Sequence, residues 1–360
     1  MTSVTFDIPY YLIGWCVYTM LVVFAWYFIY RNYLTRRRKI KRYNFLIGVI
    51  VVVLGLFMTI SPDYYSYQSL IEKARTWIYP EDLEFVYSYL LILIDYDFYL
   101  FRFIIVLPAL YLLIRILRKY GQSFDIDICF FILFSLLQFG TIIRSSLADT
   151  VFFTGALWFL NRQSFMNFLI LCITSAAACV LHKSGFMLIV PLVATLLFSK
   201  AKFYKLFTYV SPLIILTALV TINMLIGHFF EESTYGEYAE YQSGSVRLIN
   251  YASNLLYAYL LIYTLWVNKS LLYDASGLYS SLYKMVYWSV YIWVILVMAD
   301  VSRYVASRFL GHMSIPIILL VGYSIKHQSR KYIRRILIVC LYLIVINQFS
   351  IINKFREYLV

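Results

Sequence analysis

Nine residues interrupt long apolar runs in this chain: Asp63, Glu84, Arg102, Arg144, Asp149, His182, Lys183, Arg303 and Arg308. Their types suit two kinds of chemistry. A guanidinium stays charged and offers a planar fork of donors that matches phosphate oxygens. An imidazole titrates near neutrality and can take a proton from a hydroxyl, as can a carboxylate. Charge at membrane depth is costly and usually faces a protein interior or a wet cavity. Taken singly, each has a plainer explanation: an arginine at a helix end snorkels to the interface, and a boundary histidine holds a structural hydrogen bond. Their collection is what points to a site.

His182 is the sharpest case. Residues 165–198 form an apolar stretch of 34 residues broken only at His182-Lys183-Ser184-Gly185. As one helix it would be about 51 Å long, against a hydrocarbon core about 30 Å thick. The chain must fold back there, which puts His182 at the turn, where it is the first candidate for a general base. Asp63 and Glu84 are the alternatives, either as base or as groups holding an acceptor hydroxyl. Arg144 interrupts a similar stretch, with Ser145 and Ser146 beside it and Asp149 as a competing partner five residues on. Arg303 and Arg308 flank a later helix, and if helical they point about 140° apart. Two longer polar segments, 61–97 and 227–246, interleave acids with tyrosines, among them Tyr64, Tyr67, Tyr235 and Tyr238. Carboxylates bond sugar hydroxyls and rings stack on sugar faces, although tyrosine belts also line membrane interfaces.

The elements that position these residues follow from composition. Of 360 residues, 62% are hydrophobic and 14% charged, and the mean hydropathy is +0.77. A soluble domain would need more polar surface. Apolar runs at 10–30, 43–60, 98–117, 126–141, 147–160, 165–181, 184–198, 206–226, 247–267, 279–299, 309–325 and 333–352 predict about twelve transmembrane helices in one all-α integral membrane domain. The ten apolar residues 85–94 are too few to cross and predict a surface or re-entrant helix. The first apolar run is full length and ends in a basic block, unlike a cleaved signal peptide.

Sidedness supports that choice. The densest basic block, 31–42, belongs in the cytoplasm by the positive-inside rule. If 85–94 does not span, Arg115, Arg118, Lys119, Lys200, Lys202, Lys205, Lys326, Arg330, Lys331, Arg334 and Arg335 fall on the same side. Both termini and the interrupting residues above then fall on the outer side. The net charge of +13 is accordingly an orientation signal, and no nucleic-acid partner is expected. Cys16, Cys129, Cys172, Cys179 and Cys340 sit in apolar runs without metal-ligand spacing, so neither a disulfide framework nor a metal site is expected.

Five local patterns in one order carry a resemblance. They are Asp63-Tyr64-x-x-Tyr67 after the second span, Glu84 opening a short helix, Ile143-Arg144-x-x-Leu147-Ala148, Leu181-His182-Lys183-Ser184 followed by Pro191, and Arg308-Phe309 before a span containing Pro316. From about residue 10 to 330 the chain resembles the EpsG family of Wzy-like exopolysaccharide and capsule polymerases, with Phe85 standing where the family often has proline. The resemblance implies a GT-C-like, metal-independent glycosyltransferase without cofactor. Such an enzyme joins repeat units carried on undecaprenyl diphosphate at the outer, periplasmic face of the bacterial inner membrane. Its substrate would be a lipid-linked oligosaccharide, and its protein partner a chain-length regulator. Arg144 and Arg308, then Arg303 and last Arg102, would bind the diphosphate. Rival readings are an O-antigen-ligase-type transferase, expected to carry a larger outer loop than 227–246, and a flippase or other transporter of lipid-linked saccharides. A transporter would want polar residues at the bilayer midplane. An acyltransferase using acyl-CoA would want its His and Arg on the cytoplasmic side.

Overall fold

A computed structural model describes residues 8–31, 43–56, 58–60, 62–76, 83–200, 202–207, 209–210, 244–273, 277–298 and 309–359. Every regular element among them is helical. In chain order these are α1 (Ile8–Ile29), α2 (Tyr43–Leu56), α3 (Pro62–Arg75), α4 (Phe85–Leu93), α5 (Phe98–Tyr120), α6 (Phe124–Phe134), α7 (Leu136–Thr141), α8 (Ile143–Asn161), α9 (Phe165–Leu181), α10 (Phe186–Leu197), α11 (Gly244–Val267), α12 (Leu278–Met298), α13 (Ser314–His327) and α14 (Arg330–Leu359). Three stretches, Tyr11–Ile29, Phe98–Tyr120 and Arg330–Phe349, are long and apolar enough to cross a membrane, and Phe165–Leu181, Lys183–Leu197, Leu255–Val267 and Ser314–His327 are shorter apolar helices. The molecule is a helical membrane protein.

Local chemistry sets several boundaries. The Asp97 side chain accepts from the Leu100 N–H at 2.7 Å and caps α5, which carries Arg118 and Lys119 in its last turn and stops at Gly121. Ser164 caps α9 in the same way, accepting from the Asn167 N–H at 3.2 Å. The segment expected to be a surface helix forms the nine-residue α4, about 13 Å long. It ends in a turn with Asp95 and Tyr96 at φ 51° and 57°. The span expected at 126–141 is instead two helices, α6 and α7, parted at Ser135 with φ −127° and ψ −15°. Most of the expected span 206–226 lies outside the described residues.

Antiparallel neighbours give the molecule two chemically different ends. The Tyr11 hydroxyl donates to the Ile351 carbonyl at 2.9 Å and the Trp26 indole to that of Leu337 at 2.9 Å, so α1 and α14 run in opposite directions. Lys119 lies 4.9 Å from the Trp158 ring, which brings the end of α5 to the end of α8. Tyr279 donates to the Tyr120 carbonyl at 2.5 Å and Lys326 to Gln122 Oε1 at 3.0 Å. The residues assigned to the inner side, Arg118, Lys119, Lys326 and Arg330, therefore gather at one end. Glu84, Arg144 and His182 lie at the other. The 23 residues of α5 separate the two by about 34 Å.

Candidate active site

Glu84 sits at the N-cap of α4 with extended backbone, φ −63° and ψ 142°, yet its side chain makes no capping bond to its own helix. It reaches outward instead. One carboxylate oxygen meets His182 Nδ1 at 2.6 Å, and the other accepts from Arg144 Nη1. Arg144 also donates from Nε to the Tyr67 hydroxyl at 3.2 Å. Its guanidinium carbon lies 5.4 Å from the Tyr67 ring and 5.8 Å from the Tyr87 ring. The residue is second in α8, where a positive charge opposes the helix dipole; the Glu84 carboxylate offsets that.

His182 falls where α9 breaks, in extended backbone with φ −158° and ψ 131°, before the short 3-10 turn Lys183–Gly185. Gly185 makes this turn possible. A Cβ there would lie 2.7 Å from the Ala178 carbonyl oxygen, so the chain comes back directly onto the last turn of α9. The side chains of His182 and Arg144 are 13% exposed and that of Glu84 8%, so the cluster lies at a rim that solvent touches. Burial disfavours the charge on Glu84. The His182 hydrogen bond and the Arg144 charge outweigh it and hold the carboxyl below the ordinary glutamate pKa.

Beginning at the next residue of α8, and reaching about a turn and a half along it, is a second polar group. His312 Nδ1 lies 2.8 Å from Asp149 Oδ1 and 3.1 Å from Ser145 Oγ. His312 is 2% exposed. Beside it is a cavity of about 10 Å³, room for one water molecule, lined on its polar side by Ser135, Gln138, Ser145, Ser146, Asp149 and Thr150.

The structure thus brings Glu84, Arg144, His182 and Tyr67 together. Asp149 is not the partner of Arg144: five residues apart on a helix they diverge by about 140°, and Asp149 faces His312 instead. Arg102, expected last among the diphosphate ligands, is fully buried and donates from Nη2 to the carbonyls of Leu54 at 2.9 Å and Gly140 at 3.1 Å. It ties α2, α5 and α7 behind the site. Tyr64 is also buried, 4.9 Å beneath that guanidinium. Asp63 lies in the first turn of α3. Arg303, Arg308, Tyr235 and Tyr238 lie outside the described residues. His312 was missed, because both of its partners lie more than 160 residues away in sequence and no local pattern announces them.

A family model described as the EpsG family matches residues 40–359. No curated protein and no solved structure matches the chain.

Proposed function

The chain belongs to the EpsG family, and from that premise we propose that it is a membrane glycosyltransferase that polymerises polysaccharide. It joins repeat units carried on undecaprenyl diphosphate at the outer face of the bacterial inner membrane. The observation that carries the proposal is the meeting of Glu84, Arg144 and His182, brought from three distant parts of the chain into one rim cluster.

In this reading Glu84 orients His182 through Nδ1, leaving Nε2 as the base. The Nε2 lone pair takes the proton of the acceptor sugar hydroxyl as its oxygen bonds to the anomeric carbon of the donor. The bond from that carbon to the diphosphate oxygen breaks, and the lipid diphosphate leaves with the electron pair. A single displacement inverts the anomeric carbon. Fixed guanidiniums stabilise the charge that develops on the leaving group. The Arg144 charge is already balanced by Glu84, so a diphosphate needs further cations, and Arg308 and Arg303 are proposed to supply them. Asp63, Tyr67, Tyr235 and Tyr238 are the proposed sugar contacts, and a chain-length regulator the proposed partner.

The test is purified protein in lipid nanodiscs incubated with a lipid-linked oligosaccharide. A ladder of products is expected. A single transferred glycan would instead indicate a ligase, and movement of the lipid across a vesicle membrane without new bonds a transporter; either overturns the polymerase.

A further inference from the structure

The proposed reaction leaves a conflict at Arg144, which cannot grip a diphosphate fully while Glu84 holds one of its nitrogens. If a phosphate oxygen takes that nitrogen, the Glu84 oxygen it leaves is stranded. A carboxylate oxygen without a donor in so buried a place costs free energy, and a second donor would remove the cost. Tyr87 is placed to be that donor. It lies three residues after Glu84, so the two are neighbours on the first turn of α4, and its N–H donates to the Glu84 carbonyl at 2.9 Å. Its ring stands 5.8 Å from the Arg144 guanidinium carbon and edge-on to Phe101 of α5, with centroids 6.0 Å apart. Tyr87 is 1% exposed, yet its hydroxyl has no hydrogen-bond partner among the described residues. A buried phenol ordinarily finds one. Burial, and after it the Glu84 charge, push the Tyr87 pKa up, so the hydroxyl keeps a proton to donate. Because that hydroxyl is closed to solvent, an arriving phosphate does not meet it directly. A neighbouring side chain can.

We propose that Tyr87 is a positioning residue that takes over Glu84 when a diphosphate takes Arg144. In the free protein Glu84 accepts from Arg144 on one oxygen and meets His182 on the other. In the bound protein Arg144 Nη1 donates to a phosphate oxygen, and the freed Glu84 oxygen accepts from the Tyr87 O–H. His182 keeps its place on the other oxygen throughout. The exchange lets Arg144 meet an anion without loosening the histidine that Glu84 orients. It rests on the reading of Arg144 as a diphosphate ligand.

Two measurements on full-length protein in nanodiscs test this: thermal midpoint, and calorimetric titration with geranyl diphosphate. Geraniol is the uncharged control and empty nanodiscs are the blank. Tyr87→Phe keeps the ring and removes only the hydroxyl. Without probe its thermal midpoint should equal or exceed that of wild type, since an unpartnered buried hydroxyl stabilises nothing. Its Kd for geranyl diphosphate should nonetheless rise about tenfold or more, the effect of losing a hydrogen bond to a charged group. In Glu84→Ala, where Arg144 has no carboxylate to leave, adding Tyr87→Phe should change Kd less than about twofold. A lowered midpoint in Tyr87→Phe would show that the hydroxyl is already bonded in the free protein, and would overturn the exchange. So would an unchanged Kd, or geraniol binding as tightly as the diphosphate. An equal loss in the Glu84→Ala background would put the hydroxyl on the ligand itself and overturn it too. Should Glu84→Ala fail to fold, the midpoint and Kd of Tyr87→Phe decide. Failure to form a product ladder with the Tyr87→Phe effects intact would sink the polymerase alone; a ladder together with wild-type binding in Tyr87→Phe would sink the exchange alone.

Discussion

Glu84 has two oxygens and spends each on a different partner, a task that no amide can take over. In Glu84→Gln the amide nitrogen meets a donor on one side or the other, so either His182 or Arg144 loses its acceptor. Polymer formation should fall about 10²–10⁴-fold, the usual worth of an oriented general base, as read from ladder intensity over time. The same pair has a pH signature. Because the folded-state pKa of Glu84 is lowered, its contribution to stability is full above the unfolded value of about 4.3 and fades as pH falls through the lower folded one. The difference in thermal midpoint between wild type and Glu84→Gln should thus shrink as pH falls below about 4. Arg144→Lys keeps the charge but cannot donate from two rigid nitrogens to Glu84 and Tyr67 at once. Membrane insertion should be normal and polymer formation crippled; full activity in membranes carrying Arg144→Lys would remove the guanidinium from the proposed mechanism.

At the level of elements, the site depends on where helices stop. The break at His182 could be read from sequence, since 34 apolar residues exceed any bilayer and only one polar tetrapeptide interrupts them. The short α4 could be read for the same reason of length, and with it the place of Glu84. The division of 126–141 at Ser135 could not, because Ser135 and Gln138 face an internal cavity and leave the apolar run looking continuous. Nor could the pairing of Glu84 with Arg144, which joins a helix cap to a helix start 60 residues apart. Gly185 tests the stop itself. In Gly185→Ala the new methyl meets the Ala178 carbonyl, a backbone atom with little room to yield, and the 3-10 turn must lift away and carry His182 with it. A displacement of about 1 Å can cost about 10²-fold in rate, so activity should fall by that order. Phe186→Ala, at an adjacent side chain that is 56% exposed, should change it less than about twofold, the behaviour of a surface substitution. Equal losses in the two variants would show that the turn itself is not what positions the histidine.

Across the whole molecule the decisive property is separation of charge between two ends. Arg118, Lys119, Lys326 and Arg330 lie at the end of α5 opposite the Glu84 cluster, as the count of basic loops predicts. By the positive-inside rule the first group belongs in the cytoplasm, and the proposed polymerase requires that the cluster open on the other side. A lipid-linked repeat unit assembled inside must be moved across before it can be joined there, and that requirement separates the proposed polymerase from enzymes that draw on cytoplasmic activated donors. Orientation can be measured without any activity assay. In a background with the five native cysteines replaced by alanine, Lys183→Cys and Lys326→Cys each place one thiol at an exposed position, one per end. A membrane-impermeant maleimide added to intact spheroplasts should label Lys183→Cys and should reach Lys326→Cys only after the membrane is opened. The reversed pattern would turn the Glu84–Arg144–His182 cluster toward the cytosol. No outward-facing acceptor could then reach it, and the polymerase would have to be abandoned whatever the fate of the individual residues.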